Sequence, residues 1–369
     1  MKVKCQQRDL AFALNLVNRA VSPNTTLPVL NNILIKAQGK KLYFSSTNLE
    51  VAMTYFIDAE VFNEGAITIP AKLITNYVAL LKDEEVEVKL EEGLNLSIKS
   101  PLSHTKIKGI DAAEFPIIPE VTTGQNFKIS TKAFQVAINQ TAFSASSNIS
   151  RPVLTGILFH FEGKDLYLVA TDSYRLSEKV LTLATSVEED VDYIIPAHMV
   201  AEFGKMLGSF EDENVECQVT KNQIQFIVGN LKIISRLIEG KFPDYKRIIP
   251  PTSKTTVKVN VSELVLAVKK VSLFVQETNN NVKISVTNNG KLIVSTDETQ
   301  IGEGTAEVDV EMEGENNKVA LNAQYMLDAL AHLGDSSITL SIDNKLAPVK
   351  IAPHQKEAQY KHIIMPLKL

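Results

Sequence analysis

Cysteine is nearly absent from these 369 residues: Cys5 and Cys217 are the only two, far apart and without a Cys-x-x-Cys spacing. That excludes a disulfide framework and argues against structural zinc. The six histidines, at 104, 160, 198, 332, 354 and 362, are scattered without metal-ligand spacing, so no metal and no other cofactor is expected. No apolar run reaches the length of a membrane span, and the opening Met1-Lys2-Val3-Lys4-Cys5-Gln6-Gln7-Arg8 has no apolar signal core. A cytoplasmic protein without membrane contact is expected. The GxSxG, HExxH and GxxxxGK[ST] motifs are missing too. A net charge of −5 and a pI near 5.8 argue against a protein that grips nucleic acid over its whole surface, while leaving room for a local basic face.

What the sequence does hold is repetition. The middle stretch Leu154–Leu176 reads as two β-type runs, Ile157–Phe161 and Leu166–Ala170, joined at Glu162-Gly163-Lys164-Asp165. An earlier copy spans Leu30–Asn48 and a fainter one Val282–Asp297, so that Thr47-Asn48, Thr171-Asp172 and Thr296-Asp297 recur at steps of 124 and 125 residues. Only the middle copy runs on as Ser173-Tyr174-Arg175-Leu176, an asymmetry that points to function.

The length allows two or three domains, and the repeat selects three: 1–122, 126–250 and 254–369. Each opens with a strand and an amphipathic helix. The apolar positions are Leu10, Ala13, Leu14 and Val17, then Phe134, Ala137 and Ile138, then Leu264, Ala267, Val268 and Val271, with Asp9, Thr131 and Ser262 as capping residues. Pro70, Pro196 and Asn322, at steps of 126, introduce a second helix in each repeat. Its stripe is Leu73, Tyr77 and Leu81, then Met199, Phe203 and Leu207, then Tyr325, Ala329 and Leu333, and each stripe is expected to pack on its own sheet. Alternating strands close each repeat at Val86–Ile98, Val215–Val228 and Ile338–Ile351. The class is therefore α+β, with the helices on one side of the sheets.

Five blocks carry a resemblance that covers the whole chain in order. They are Thr26-Leu27-Pro28-Val29-Leu30, Arg151-Pro152-Val153-Leu154-Thr155-Gly156, Ala170-Thr171-Asp172-Ser173-Tyr174-Arg175-Leu176, Gly240-Lys241-Phe242-Pro243-Asp244-Tyr245 and Met365-Pro366-Leu367-Lys368-Leu369. Together they resemble the bacterial DNA polymerase III beta subunits, the replication sliding clamps. The resemblance implies a DNA-clamp fold of three similar domains and a head-to-tail dimer closed into a ring, with helices lining the hole and sheets outside. Such a ring encircles double-stranded DNA without sequence preference and tethers the replicative DNA polymerase and other partners. It has no chemistry of its own, and a clamp loader places it on DNA.

The resemblance also implies sites. A groove that takes short partner peptides bearing Gln and Leu or Phe would be formed by Leu154, Thr171, Ser173, Tyr174, Arg175, Leu176, Pro243, Arg247, Ile248, Val349, Met365, Pro366, Leu367 and Leu369. Met and Leu suit an adaptable apolar pocket, with Tyr174, Arg175 and Arg247 as polar groups at its rim. DNA-facing positions would be Arg19, Asn24, Lys72, Asn148, Arg151, His198 and Lys205; Asn24 stands where relatives often have Arg, His198 where some have Lys, and Tyr174 where some have His. Ring closure would use Ser103, His104, Thr105, Lys106 and Ile107 as a pairing strand, with Leu273 and Phe274 nearby. Composition alone would read Leu154, Leu176, Met365, Leu273 and Phe274 as plain core and the charges as solvated surface.

Two other classes compete. A hydrolase or transferase would use Asp172 with Arg175 or His160, but no nucleophile–base constellation accompanies them, and the repeat explains Asp172 as a turn-capping residue. A repeat scaffold that binds only proteins would differ by forming no closed ring.

Overall fold

The computed structural model describes residues 1–21, 27–122, 124–184, 190–275, 280–355 and 359–368. They form two compact units, Met1–Lys132 with Lys205–Leu237, and Ala133–Gly204 with Ile238–Leu369. The expected six helices are present, two per repeat: α1 Gln7–Val17, α2 Ala71–Ala79, α3 Thr131–Thr141, α4 Ala197–Leu207, α5 Val261–Ser272 and α6 Ala323–His332. All strand pairs among the described residues are antiparallel, and burial alternates along strands such as Asn281–Thr287.

The first unit carries a five-stranded and an eight-stranded sheet, the second a twelve-stranded sheet. The hairpin strands of one repeat are continued by the closing strand of the next. Val51–Asp58 pairs with Leu231–Arg236 in the first unit, and Arg175–Thr182 pairs with Tyr360–Ile364 in the second. Each of the three sheets ends in strands paired on one side only, and one internal half-strand is paired on one side only as well. Ser103–Lys108 pairs only with Asn95–Ser100, and Thr305–Asp309 pairs only with Lys291–Ser295.

The core follows the helical period. Leu264, Ala267, Val268 and Val271 of α5 and Ala323, Met326, Ala329 and Leu330 of α6 are buried against Val282, Ile284, Val286, Leu292 and Val294. Each buried Val, Leu, Ile or Met among them contributes about 1.5–3 kcal/mol relative to exposure. In the second repeat Phe134 meets Phe159 and Phe203 edge-on, with ring centroids 6.0 and 6.1 Å apart.

Three local expectations need correction. The α2 stripe is rotated by about one residue: Ala71, Ile74 and Val78 face inward and Leu73 is 54% exposed, although Met199, Phe203 and Leu207 of α4 are buried as expected. The cap of α5 is Asn260, whose Oδ1 accepts the Glu263 N–H at 3.1 Å, not Ser262, and Asp9 lies in the first turn of α1, not at its cap. The third hairpin is one residue short, so Leu292 and Val294 match Leu42 and Phe44 in burial, but Thr296 does not continue the pattern as Thr47 does.

Candidate functional site

The turn after Asp165–Thr171 is built from its own side chains. Thr171 Oγ1 donates to the Arg175 carbonyl at 2.6 Å and accepts the Ser173 N–H at 3.1 Å, while Asp172 Oδ1 accepts the N–H groups of Tyr174 and Arg175, both at 2.9 Å. The first repeat makes the same turn. Thr47 Oγ1 donates to the Val51 carbonyl and accepts the Leu49 N–H, and Asn48 Oδ1 accepts from Glu50 and Val51. Ser173 and Leu49 both adopt positive φ, at 80° and 74°. Asp172 is thus a turn-capping residue, and its fellow candidate His160 is engaged by Asp192 at 2.7 Å.

Arg175 faces inward, with only 12% of its side chain exposed. Its Nε donates to Asp172 Oδ2 at 3.1 Å, Nη1 to Asp328 Oδ2 at 2.5 Å and Nη2 to the Phe143 carbonyl at 3.0 Å, and the guanidinium lies 4.5 Å from the centre of the Tyr325 ring. Phe143 in turn stacks on His332, centroids 4.3 Å apart. Behind it Ser177 Oγ meets His362 Nδ1 at 2.8 Å and Ser144 Oγ at 2.7 Å.

His362 is fully buried, and burial first, with the Arg175 and His332 charges adding to it, lowers its pKa to about 3. Between the ordinary value near 6.5 and that folded value the unfolded chain binds a proton the folded chain does not. Stability therefore falls as pH drops through this window, by up to roughly 1 kcal/mol per pH unit from this group. Melting temperatures of the parent and His362→Gln between pH 7 and 4 should diverge in slope, with the parent the steeper; parallel curves would refute the assignment.

On the sheet lies an apolar wall drawn from five separate segments. Leu176, Ile363, Phe242 and Tyr245 are buried in one cluster with Leu158, Val169 and Ile194, and Val153, Ile248 and Ile249 pack on it. Leu154 is buried beside it, held by the Ser146 N–H to its carbonyl at 2.8 Å. Arg151 Nη1 donates to Ser173 Oγ at 3.2 Å, tying that loop to the turn. The tail is fastened at both ends, by the Met365 N–H to the Tyr174 carbonyl and the Leu367 N–H to the Ala320 carbonyl, each at 2.8 Å. Met365, Pro366 and Leu367 are half-buried, Pro243 is exposed, and Arg247 is exposed and paired with Asp244 at 2.6 Å. Tyr174, 63% exposed, stands at the rim. Val349 is different: it belongs to the third repeat's core, opposite Ile364. Leu369 lies outside the described residues.

Three family profiles match in succession: the DNA polymerase III beta subunit N-terminal domain at residues 1–119, its central domain at 128–244 and its C-terminal domain at 246–368. The chain belongs to the DNA polymerase III beta subunit family. The beta sliding clamp of Staphylococcus epidermidis is 30% identical over 364 residues, covering 96% of both chains, and that of Staphylococcus aureus is 29% identical over the same coverage. Among solved structures, the DNA polymerase sliding clamp from Bacillus subtilis matches with a TM-score of 0.94 at 28% identity, covering 100% of this chain and 99% of that one. As a member of the beta subunit family the chain is a non-catalytic processivity factor of three clamp domains.

Of the remaining positions that the beta subunit resemblance singles out, the described DNA-facing ones, with His104 and Lys106, are exposed, Ser103 and Thr105 are half-buried, and Ile107 is buried in the core of its own sheet. Arg19 lies in the short turn Asn18–Ala20 that packs beside α2, and Lys72 is in the first turn of α2. His198 and Lys205 are exposed on α4, and Asn148 and Arg151 share the loop beside the groove. Asn24 lies outside the described residues. Leu273, which caps α5, is 64% exposed, and Phe274 packs its ring over Gly302 and Gly304, so close that a Cβ on Gly304 would come within 2.7 Å.

Sequence reasoning missed several neighbours. Ile301 is 60% exposed, and Leu80 and Leu102 stand open in the first unit, where Tyr77 Oη meets Ser103 Oγ at 2.8 Å. The signal for Leu73 and Leu80 lay in the helical period, once its phase was right.

Proposed function

We propose that two copies of this chain close head to tail into a ring of six domains, with boundaries at 1–122, 126–250 and 254–369 in each copy. The ring encircles double-stranded DNA without sequence preference and tethers the replicative DNA polymerase and other partners, whose peptides enter the groove at Tyr174 and Met365. A clamp loader is required, since the chain has no phosphate loop with which to drive opening. Arg19, Lys72, Asn148, Arg151, His198 and Lys205 are few and scattered contacts, which suits a protein that slides.

The observation that carries ring closure is a pair of strand edges that the pairing between repeats leaves unmatched. The hairpin sheets of the first two repeats each receive the closing strand of the next repeat, so the third repeat's Thr305–Asp309 lacks one and the first repeat's Ser103–Lys108 is left over. Burial sets the register. Ile57 lies opposite Leu42 as Val308 lies opposite Leu292, which makes Ala306 the counterpart of Tyr55; the hairpin pair Ser100 and Ser103 matches Val228 and Leu231. Leu231 pairs with Tyr55, so Ser103 pairs with Ala306 of the second copy and His104 with Thr305. Both members of the latter pair are exposed in one chain.

The test is a His104→Cys, Thr305→Cys variant. Oxidation should give a covalent dimer, with little background from native thiols, because burial pushes Cys5 up to about 12 and Cys217 well above its ordinary value. Once loaded on circular DNA and oxidised, this dimer should stay bound in salt and leave when the circle is cut. Equal retention on cut and intact circles would defeat the ring.

A further inference from the structure

We propose that Asp328, acting through Arg175, is a positioning residue for the docking groove, an inference that rests on reading that groove as the peptide site. Four short links join α6 to the tail. Asp328 Oδ2 accepts from Arg175 Nη1 at 2.5 Å, Arg175 Nε donates to Asp172 Oδ2 at 3.1 Å, Asp172 Oδ1 accepts the Tyr174 N–H at 2.9 Å, and the Tyr174 carbonyl accepts the Met365 N–H at 2.8 Å. The carboxylate is itself held, since Gln324 Nε2 donates to Asp328 Oδ1 at 2.7 Å. The guanidinium is fixed from a second side by the Phe143 carbonyl and from a third by the Tyr325 ring.

The first repeat shows what this arrangement is not for. There the same turn forms from Thr47 and Asn48 with Val51 in the arginine's place. An arginine is therefore not needed to make the turn. In the second repeat it anchors the turn to α6 and to the segment that holds Phe143. Tyr174 depends on that anchor, because its exposed side chain has little packing of its own and its place at the rim is set by its backbone. A network of this kind acts as a unit, so its members should couple.

The chain contains no tryptophan, so Tyr174→Trp introduces a single fluorophore at the rim. In that background Asp328→Ala should lower the steady-state anisotropy of the tryptophan, while Asp328→Asn, which keeps an acceptor oxygen, should largely restore it. With native Tyr174, affinity is measured for a fluorescein-labelled pentapeptide of one Gln, leucines and a terminal Phe, well below the melting temperature. Asp328→Ala should weaken binding about tenfold, and Asp328→Ala added to Arg175→Met should cost nothing beyond Arg175→Met alone. If Asp328→Ala shifts only the melting temperature, leaving anisotropy unchanged and affinity within about twofold, the residue is a stability element and the proposal fails. Failure of the parent to bind the peptide would sink the groove reading instead, and the anisotropy comparison would still decide whether Asp328 fixes the turn.

Discussion

Leu273→Asp is expected to leave the chain folded and, if the proposed ring forms, to make it monomeric at concentrations where the parent assembles. The side chain caps α5 and is largely exposed in a single chain, so a carboxylate there costs little before assembly. Closure against the partner's Ser103–Lys108 edge would bury that carboxylate among Phe274, Ile301 and the partner's leucines. An unpaired charge in such a place costs several kcal/mol, which weakens the dimer by about a hundredfold or more. Sedimentation should report the loss, and a clamp-loader assay should show the variant slipping from circular DNA as readily as from linear DNA. A Leu273→Asp protein that stayed dimeric at micromolar concentration would mean that the α5 end lies away from the interface.

Removal of Met365 to Leu369 should abolish peptide binding and spare the dimer. The tail, bonded through Met365 to Tyr174, belongs to the proposed groove together with the wall made by Leu176, Phe242, Tyr245 and Ile248, and two or three apolar anchors of a bound peptide would contribute about 1.5–3 kcal/mol each. Ordering a flexible peptide offsets part of that, leaving roughly micromolar affinity, so loss of the tail's contacts takes binding out of the measurable range. The fold loses two backbone hydrogen bonds, to Tyr174 and Ala320, a cost of about 1 kcal/mol each. Isothermal titration with the pentapeptide and the melting temperature of the truncated chain separate the two effects. Normal peptide binding without the tail would show that the groove lies elsewhere.

Much of this architecture was legible from pattern alone. The three hairpins, the paired helices and the buried stripes of α1, α3, α4 and α5 follow from alternation at period two and at 3.6, which single residues cannot easily counterfeit. The turn-capping role of Asp172 was legible because a repeat supplies its own control at Asn48. What stayed hidden depends on distance or on phase. Asp328 lies 153 positions from Arg175, and no spacing rule links a turn arginine to an acid on a helix so far along the chain. Leu73, Tyr77 and Leu81 form an apolar stripe as regular as the buried Ala71, Ile74 and Val78, and only the tilt of α2 on its sheet chooses between the two faces. The one-residue deletion before Thr296 escaped notice because the Thr-Asp pair survives it.

The open edges also bear on what a second copy must do geometrically. Ser103–Lys108 and Thr305–Asp309 are different surfaces, so the proposed contact between copies would be heterologous, each chain offering one donor and one acceptor edge. Such a contact stops growing only when successive rotations return to the start, and otherwise it propagates as a filament. In the proposed assembly the number of chains would depend on the twist inside each sheet, at the Leu231–Tyr55 and Arg175–Ile364 strand junctions, as much as on the junction between chains. A substitution that alters the bend inside either sheet, far from any subunit contact, would change a closed dimer into a polymer while leaving the affinity of one edge for the other intact.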